Sequence, residues 1–271
     1  MPVLTINDLQ DYSALFSGEC GKALAEGLMR MLSVSKINTL YDRHRSLAGP
    51  DFTDAILKDL GVRYEVRNLG IMDSLDKGAF ITISNHPYGG IDGLILVDFL
   101  ARFRADYKIM VNKILGRIAT LDDNFIDVIP MGRKRVRLEK DNIQGVKKVL
   151  EHVESGHPVG IFPSGAISDF KLREWCIEDR VWQESVIRLI KKLRVPILPV
   201  RFFGTNSCLF YGLGLLDWRI RLLKLPSELF NKKGKTIQLA LGDIITPEQQ
   251  DGYPDVKEFG EYLREKVYRL E

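Results

Sequence analysis

The chain has 271 residues, 45% of them hydrophobic, which is enough for one sizeable α/β domain with a smaller helical region and too little for two full catalytic domains. Its 39 basic and 36 acidic side chains nearly balance at a formal +3, so no overall charge draws it to nucleic acid, and no compact basic and aromatic reader motif accompanies its local basic clusters. Cys20, Cys176 and Cys208 are odd in number and far apart, which speaks against a disulfide framework or a Cys-rich metal site and fits a reducing compartment.

From Met1 to Asp8 there is no basic segment followed by a long apolar core, so a secretory signal is not expected. Nor does the chain hold an uninterrupted apolar run of the roughly 18 to 20 residues that spanning a bilayer requires. Helical spacing from Glu19 to Leu32 and from Asp51 to Leu60 predicts an N-terminal helical region over residues 1–64, ahead of an α/β domain over residues 65–271. Past Gly70 the rhythm changes. The runs Phe80 to Ser84, Tyr107 to Val111, Phe125 to Ile129, Val159 to Phe162, Val195 to Phe203 and Thr236 to Leu241 predict strands, and Gly93 to Arg104, Asn142 to Glu154, Trp182 to Leu193 and Pro254 to Tyr268 predict helices. This alternation is that of an α/β protein: a layered mixed or mostly parallel sheet flanked by helices. Pro196 and Pro199 favour an edge or irregular position for their strand.

The first chemistry-bearing segment is Asn85-His86-Pro87-Tyr88-Gly89-Gly90-Ile91-Asp92, directly after a predicted buried strand. Such a turn can hold an imidazole and a carboxylate at the rim of a sheet, where a substrate hydroxyl or amine is deprotonated. Equally, Asp92 can simply cap the helix that follows. Arg133, soon after the strand at Phe125, has the planar fork suited to a phosphate or carboxylate, and its neighbours Lys134, Arg135 and Arg137 suit the same role or a solvated loop. The clusters around Arg133 and at Lys232, Lys233 and Lys235 also suit an anionic lipid surface.

A second turn, Pro163-Ser164-Gly165-Ala166-Ile167-Ser168, follows a predicted strand, and backbone N–H groups near Gly165 can hold an anion or an oxyanion there. Ser164 and Ser168 are conceivable nucleophiles, although no Gly-x-Ser-x-Gly surrounds them. From Leu209 to Leu225 the chain mixes apolar residues with Trp218, Arg219, Arg221 and Lys224. Leu213, Leu216, Trp218, Arg219 and Arg221 are candidates for contact with an acyl chain or a membrane interface, against ordinary packing of a long loop.

Taken in order, the His86 to Asp92 segment, the strand leading to Arg133, the Phe162 to Ser168 turn and Val195-Pro196-Ile197-Leu198-Pro199-Val200 resemble the four blocks of the glycerolipid acyltransferase family, which includes lysophosphatidic acid acyltransferases. The resemblance covers roughly residues 65 to 250. It implies His86 as general base, Asp92 as its orienting partner, Arg133 as a headgroup or phosphate contact, and a binding role for Ser164 and Gly165. Five residues separate His86 from Asp92 where the family usually has four, and the third block has Ser164, Ala166 and Ile167 in place of its Glu, Thr and Arg. The form of the first block is similar to a divergent bacterial, hemolysin-like branch associated with acylation of aminolipids such as ornithine or glycine lipids.

The resemblance implies acyl transfer to a hydroxyl of a lysolipid or acylated aminolipid, with acyl carrier protein or coenzyme A thioester as donor and no bound cofactor or metal. The membrane surface is the implied partner, nucleic acid is not, and the implied place is the cytoplasmic side of a bacterial inner membrane, peripherally attached. The competing expectations are a catalytically inactive lipid-binding homologue and a serine hydrolase acting through Ser164 or Ser168.

Overall fold

The computed structural model describes residues 33–75, 77–112, 115–128, 140–216 and 218–271. The predicted helix from Glu19 to Leu32 lies outside them. In chain order the strands are β1 (Arg63–Arg67), β2 (Ile81–Ser84), β3 (Lys108–Asn112), β4 (Phe125–Val128), β5 (Val159–Ile161), β6 (Asp169–Lys171), β7 (Cys176–Glu178), β8 (Ile197–Phe202) and β9 (Thr236–Leu241). The helices are α1 (Val34–His44), α2 (Gly49–Leu60), α3 (Gly90–Phe103), α4 (Lys140–Glu154), α5 (Glu184–Leu193), α6 (Cys208–Leu216), α7 (Trp218–Phe230), α8 (Pro247–Asp251) and α9 (Val256–Tyr268).

Seven strands form one sheet in the order β1-β9-β8-β2-β5-β3-β4, parallel at every pairing except β8 with β9. The mixed, mostly parallel sheet expected from the apolar runs is therefore present. Strands β2 and β5 are buried at every residue, as strands covered by helices on both faces must be. One face packs Leu198, Val200, Phe202 and Leu239 against α2 and α3. The other packs Ile81, Ile83, Val159 and Ile197 against α4, α5 and α9.

The 64/65 boundary falls inside β1, whose residues pair in register with β9. Leu40, Phe52 and Ile56 of α1 and α2 join Ile91, Ile95 and Leu96 of α3 in one cluster, so the described helices before the sheet share its core. Strand β8 is interior, not at an edge. The prolines are tolerated because Pro199 lies beyond the last β9 pair, Val200 with Leu241, where no ladder bond requires its missing N–H, and its carbonyl accepts from Gly242 N at 2.9 Å.

Just ahead of β3, Asp106 ties several loops together. It accepts from Arg104 Nε at 2.9 Å, from the Arg104 terminal nitrogen at 2.7 Å and from His157 Nδ1 at 2.6 Å. Burial pushes this carboxyl up, but the Arg104 and His157 bonds outweigh it and hold it down to about 2, against an ordinary 3.8. A carboxyl depressed in the folded chain stabilises above its unfolded value and loses that contribution as pH falls through the folded one. Asp106→Asn is therefore expected to be about 1 to 2 kcal/mol less stable at neutral pH, a figure discounted for solvent screening. The gap to the parent should narrow between about pH 4 and pH 2 in urea unfolding, and a constant gap would mean that Asp106 acts through packing alone.

Candidate active site

Strand β2 lies between β8 and β5, so its carboxyl end opens near the middle of the sheet, where α/β folds commonly bind ligands. Beyond Ser84 the Asn85 side chain stands in for a strand. Its Nδ2 donates to Phe202 O at 2.9 Å and its Oδ1 accepts from Phe202 N at 2.7 Å, which extends the grip of β8 on the segment by one residue. Gly89 then takes φ +83°, a backbone angle that favours glycine, and α3 begins at Gly90, three residues earlier than the sequence predicts. Asp92 is thereby drawn into the first helical turn.

A single oxygen of Asp92 fills both roles that the sequence leaves open, capping and orientation. Oδ2 accepts the N–H groups of Tyr88 at 2.9 Å and Gly89 at 3.0 Å, and it also meets His86 Nδ1 at 2.9 Å. The five-residue spacing therefore still brings the imidazole and carboxylate together, with Gly89 absorbing the added length. Asp92 is fully buried. Burial pushes its carboxyl up, while the His86 bond and the two backbone donors pull against that rise. With Nδ1–H pointed at the carboxylate, Nε2 carries the lone pair.

The rest of His86 is held as closely. Its ring packs on Phe162 with centroids 4.0 Å apart, its carbonyl accepts from Ser168 N at 2.9 Å, and its N–H donates to Asp179 Oδ1 at 3.1 Å. The first and third sequence blocks thus meet. The polar groups assigned to substrate in the third block are otherwise engaged, however. Ser164 Oγ donates to Ala166 O at 2.7 Å, and Gly165 N–H donates to Phe162 O at 2.9 Å. Ser164 and Gly165 shape the turn, and this Gly165 N–H is not the oxyanion donor. Gly165 is favoured by its φ of +61°, a backbone angle that other residues rarely adopt. Ile167, which stands where the family has Arg, is buried with its Cδ1 2.8 Å from where a Gly89 Cβ would lie, so it packs the His turn.

Arg221 is a second correction. It is 3% exposed, not at an interface: its guanidinium donates to Ser168 O at 3.1 Å and Ile167 O at 3.4 Å, pairs with Asp169 and lies over the Phe210 ring. Proximity to carbonyls of the third-block turn makes this arginine internal. Leu213 is half-buried and Leu216 is 79% exposed. Arg133 and the side chains of Trp218 and Arg219 lie outside what the structure describes.

Several contributors escape a reading of the sequence. Asp179, at the end of the β6–β7 hairpin, has no motif around it. The segment 203–207 after β8 grips the His turn: Tyr88 Oη donates to Phe203 O at 2.7 Å, and Asn206 Nδ2 donates to Pro87 O at 3.2 Å. Gly204 leaves the room for this, since a Cβ would meet Tyr88 Oη at 1.9 Å. Behind it Lys232, expected in a solvated or lipid-facing basic cluster, is 2% exposed; its Nζ donates to Thr205 O at 3.1 Å, reaches Glu228 Oε2 at 3.5 Å and stands 5.1 Å from the Tyr88 ring centroid.

Chemically, the arrangement offers an oriented base. Neither serine of the third block faces His86, because Ser168 Oγ donates to Asp179 at 2.6 Å and Ser164 Oγ to Ala166 O, so a serine hydrolase gains nothing from this geometry. Among the described residues no group of three or more His, Cys, Asp or Glu is placed to hold a metal.

A family model described as Acyltransferase matches residues 16–271. A lyso-glycine lipid O-acyltransferase of Bacteroides thetaiotaomicron is 26% identical over 256 residues, covering 92% of this chain and 90% of that one. Another lyso-glycine lipid O-acyltransferase, from Phocaeicola vulgatus, is 24% identical over 250 residues, covering 90% and 86%. Among solved structures, the 1-acyl-sn-glycerophosphate acyltransferase of Thermotoga maritima aligns over 81% of this chain and 79% of its own with a TM-score of 0.48 and 16% identity.

Proposed function

This chain belongs to the acyltransferase family, and on that premise we propose that it transfers a fatty acyl group from an acyl thioester to the hydroxyl of a lysolipid, with His86 as general base. The observation that carries this reading is the bond between His86 Nδ1 and the buried Asp92 at 2.9 Å, which leaves Nε2 to take a proton. In the reaction Nε2 removes the acceptor hydroxyl proton as that oxygen attacks the thioester carbonyl, and Asp92 supports the imidazolium. Collapse of the tetrahedral adduct breaks the C–S bond, and the proton passes from Nε2 to the departing sulfur. The products are an ester and a free thiol, and no acyl-enzyme forms.

The acceptor favoured is a lyso-aminolipid of the glycine-lipid kind. The names of the two relatives support it, as does Ile167, which replaces the family's charged side chain with a packing residue of the turn. The donor is acyl carrier protein or coenzyme A thioester. Such an acceptor resides in a membrane, and the protein engages the cytoplasmic surface of a bacterial membrane peripherally. No helix among the described residues is long and apolar enough to cross one. Leu209, Leu215 and Leu216 on the outer side of α6 are 60%, 50% and 79% exposed and suit contact with acyl chains.

Purified protein incubated with labelled acyl donors of both kinds and vesicles carrying lyso-glycine lipid is expected to form a diacylated glycine lipid, identified by mass spectrometry. Labelled phosphatidic acid from lysophosphatidic acid, with no glycine-lipid product, would reassign the acceptor. Thiol release with no lipid product would indicate hydrolysis. Binding of the lipid with neither thiol nor product, beside an active reference enzyme, would make the chain an inactive lipid-binding homologue.

A further inference from the structure

We propose that Asp179 is a positioning residue for the acyl transfer, holding the His86 backbone so that the imidazole stands where the acceptor hydroxyl can reach it. This rests on the reading of His86 as the base. Asp179 is buried with no measurable exposure. Its Oδ1 accepts the His86 N–H at 3.1 Å and the Ser168 hydroxyl at 2.6 Å, and its Oδ2 accepts Trp182 Nε1 at 3.2 Å. Ser168 in turn donates its own N–H to His86 O at 2.9 Å. Both polar groups of the His86 backbone are therefore held by one unit, and the ring is then oriented by Asp92 from α3. The two carboxylates act on different parts of the same residue: Asp92 sets the ring's rotation and tautomer, and Asp179 sets the place from which the ring projects.

The choice of a carboxylate argues for function over packing. The side-chain partners of Asp179 are three neutral donors, an amide, a hydroxyl and an indole. A buried carboxylate served only by neutral donors is a poor stabiliser, since its desolvation outweighs what such bonds return. What it supplies is a charged acceptor at the backbone of the one side chain that becomes cationic during transfer, bonded directly to its N–H and more tightly to the Ser168 that holds its carbonyl. A small displacement of such a base lowers the rate steeply because the reacting atoms must meet within a few tenths of an ångström. Asp179 is itself anchored from a distant element, its N–H donating to Tyr268 Oη at 2.8 Å.

The test compares Asp179→Asn, Ser168→Ala and Tyr268→Phe with the parent in steady-state acyl transfer, thermal unfolding, and carbethoxylation of His86 by diethyl pyrocarbonate read by peptide mass spectrometry. Asp179→Asn keeps the shape and one acceptor oxygen. It should lower kcat at least tenfold, with KM for donor and acceptor within twofold, and change the His86 modification rate severalfold. Ser168→Ala, which leaves its backbone bond to His86 intact, should lower kcat two- to fivefold with the same unchanged KM. Should Asp179→Asn not fold, Ser168→Ala and Tyr268→Phe decide. Loss of activity that merely follows loss of folded protein, with parental kcat per folded molecule and an unaltered modification rate, would overturn the proposal. If the parent transfers no acyl group to any lysolipid, the functional reading fails. The modification rate still reports whether Asp179 fixes His86.

Discussion

His86→Ala is expected to lower kcat by about a thousandfold, the middle of the range for loss of a general base or acid, while both KM values stay within a few-fold. The ring contacts Asp92 and, at the margin of the apolar cluster, Phe162, and its side chain is still 18% exposed, so the variant should fold. Its loss removes a proton acceptor that matters only as the hydroxyl attacks, which is why kcat and not KM carries the effect. Asp92→Asn separates the two jobs of the carboxylate. An amide oxygen can still accept the Tyr88 and Gly89 N–H groups and keep the start of α3, but the charge that supports the imidazolium is gone. A fall in kcat of about a hundredfold or more, with little change in the helix signal, is the expected result. If His86→Ala keeps more than a tenth of parental kcat in an assay free of contaminating acyltransferase, His86 is not the base; if only Asp92→Asn does, the Asp92 charge is dispensable to it.

The largest effect on stability is expected from Lys232→Met. Lys232 and Glu228 are 2% and 1% exposed, and Glu228 also accepts Ser207 Oγ at 2.6 Å and Ser207 N at 3.0 Å. Removing the cation leaves a buried carboxylate with neutral donors and the equally distant but partly exposed Lys224 at 3.5 Å. Breaking one side of such a pair typically costs about 3 to 5 kcal/mol; with Lys224 still present, a loss of about 3 kcal/mol is expected, or a fall in Tm of roughly 6 to 10 °C. Glu228→Gln combined with Lys232→Met should restore part of it, giving a coupling of about 1 kcal/mol or more in a double-mutant cycle. Strict additivity would mean that the two charges act separately. Because Lys232 also lies against Tyr88, the single variant should lose activity below its melting range as well.

How much of this is legible in the sequence divides along physical lines. The central strands announce themselves because burial on both faces demands charge-free, largely apolar runs such as Phe80 to Ile83, and the His turn because it follows one of them. Strand β1 does not: Arg63, Glu65 and Arg67 face outward in alternation with Tyr64 and Val66, too short a pattern to separate from a loop. The hairpin of β6 and β7 has three-residue strands, all half-buried, and leaves no periodic trace. Helix α6 is apolar on both sides, with Phe210 and Tyr211 inward and Leu209 and Leu216 outward, which reads in sequence as an interfacial segment. Arg221 reads as an interfacial cation because the carbonyls that bury it come from residues more than fifty positions earlier. Asp179 is invisible for the same reason, its partners lying on β2's turn, the third block and α9.

The bond from Asp179 to Tyr268 has a consequence for when the protein becomes competent. Synthesis runs from the amino end, and a chain elongated only as far as β9 already holds His86, Asp92 and Asp179 yet lacks the hydroxyl that anchors the last of them. The end of β9 at Leu241 and Tyr268 are 27 residues apart, so at an elongation rate of about 5 to 20 residues per second seconds pass before this anchor can form. Added to the slow closure of contacts so distant in sequence, this leaves the anchor of Asp179 unmade in the nascent chain until α9 has emerged and docked, a built-in delay between synthesis of the His86 turn and completion of the unit that holds it.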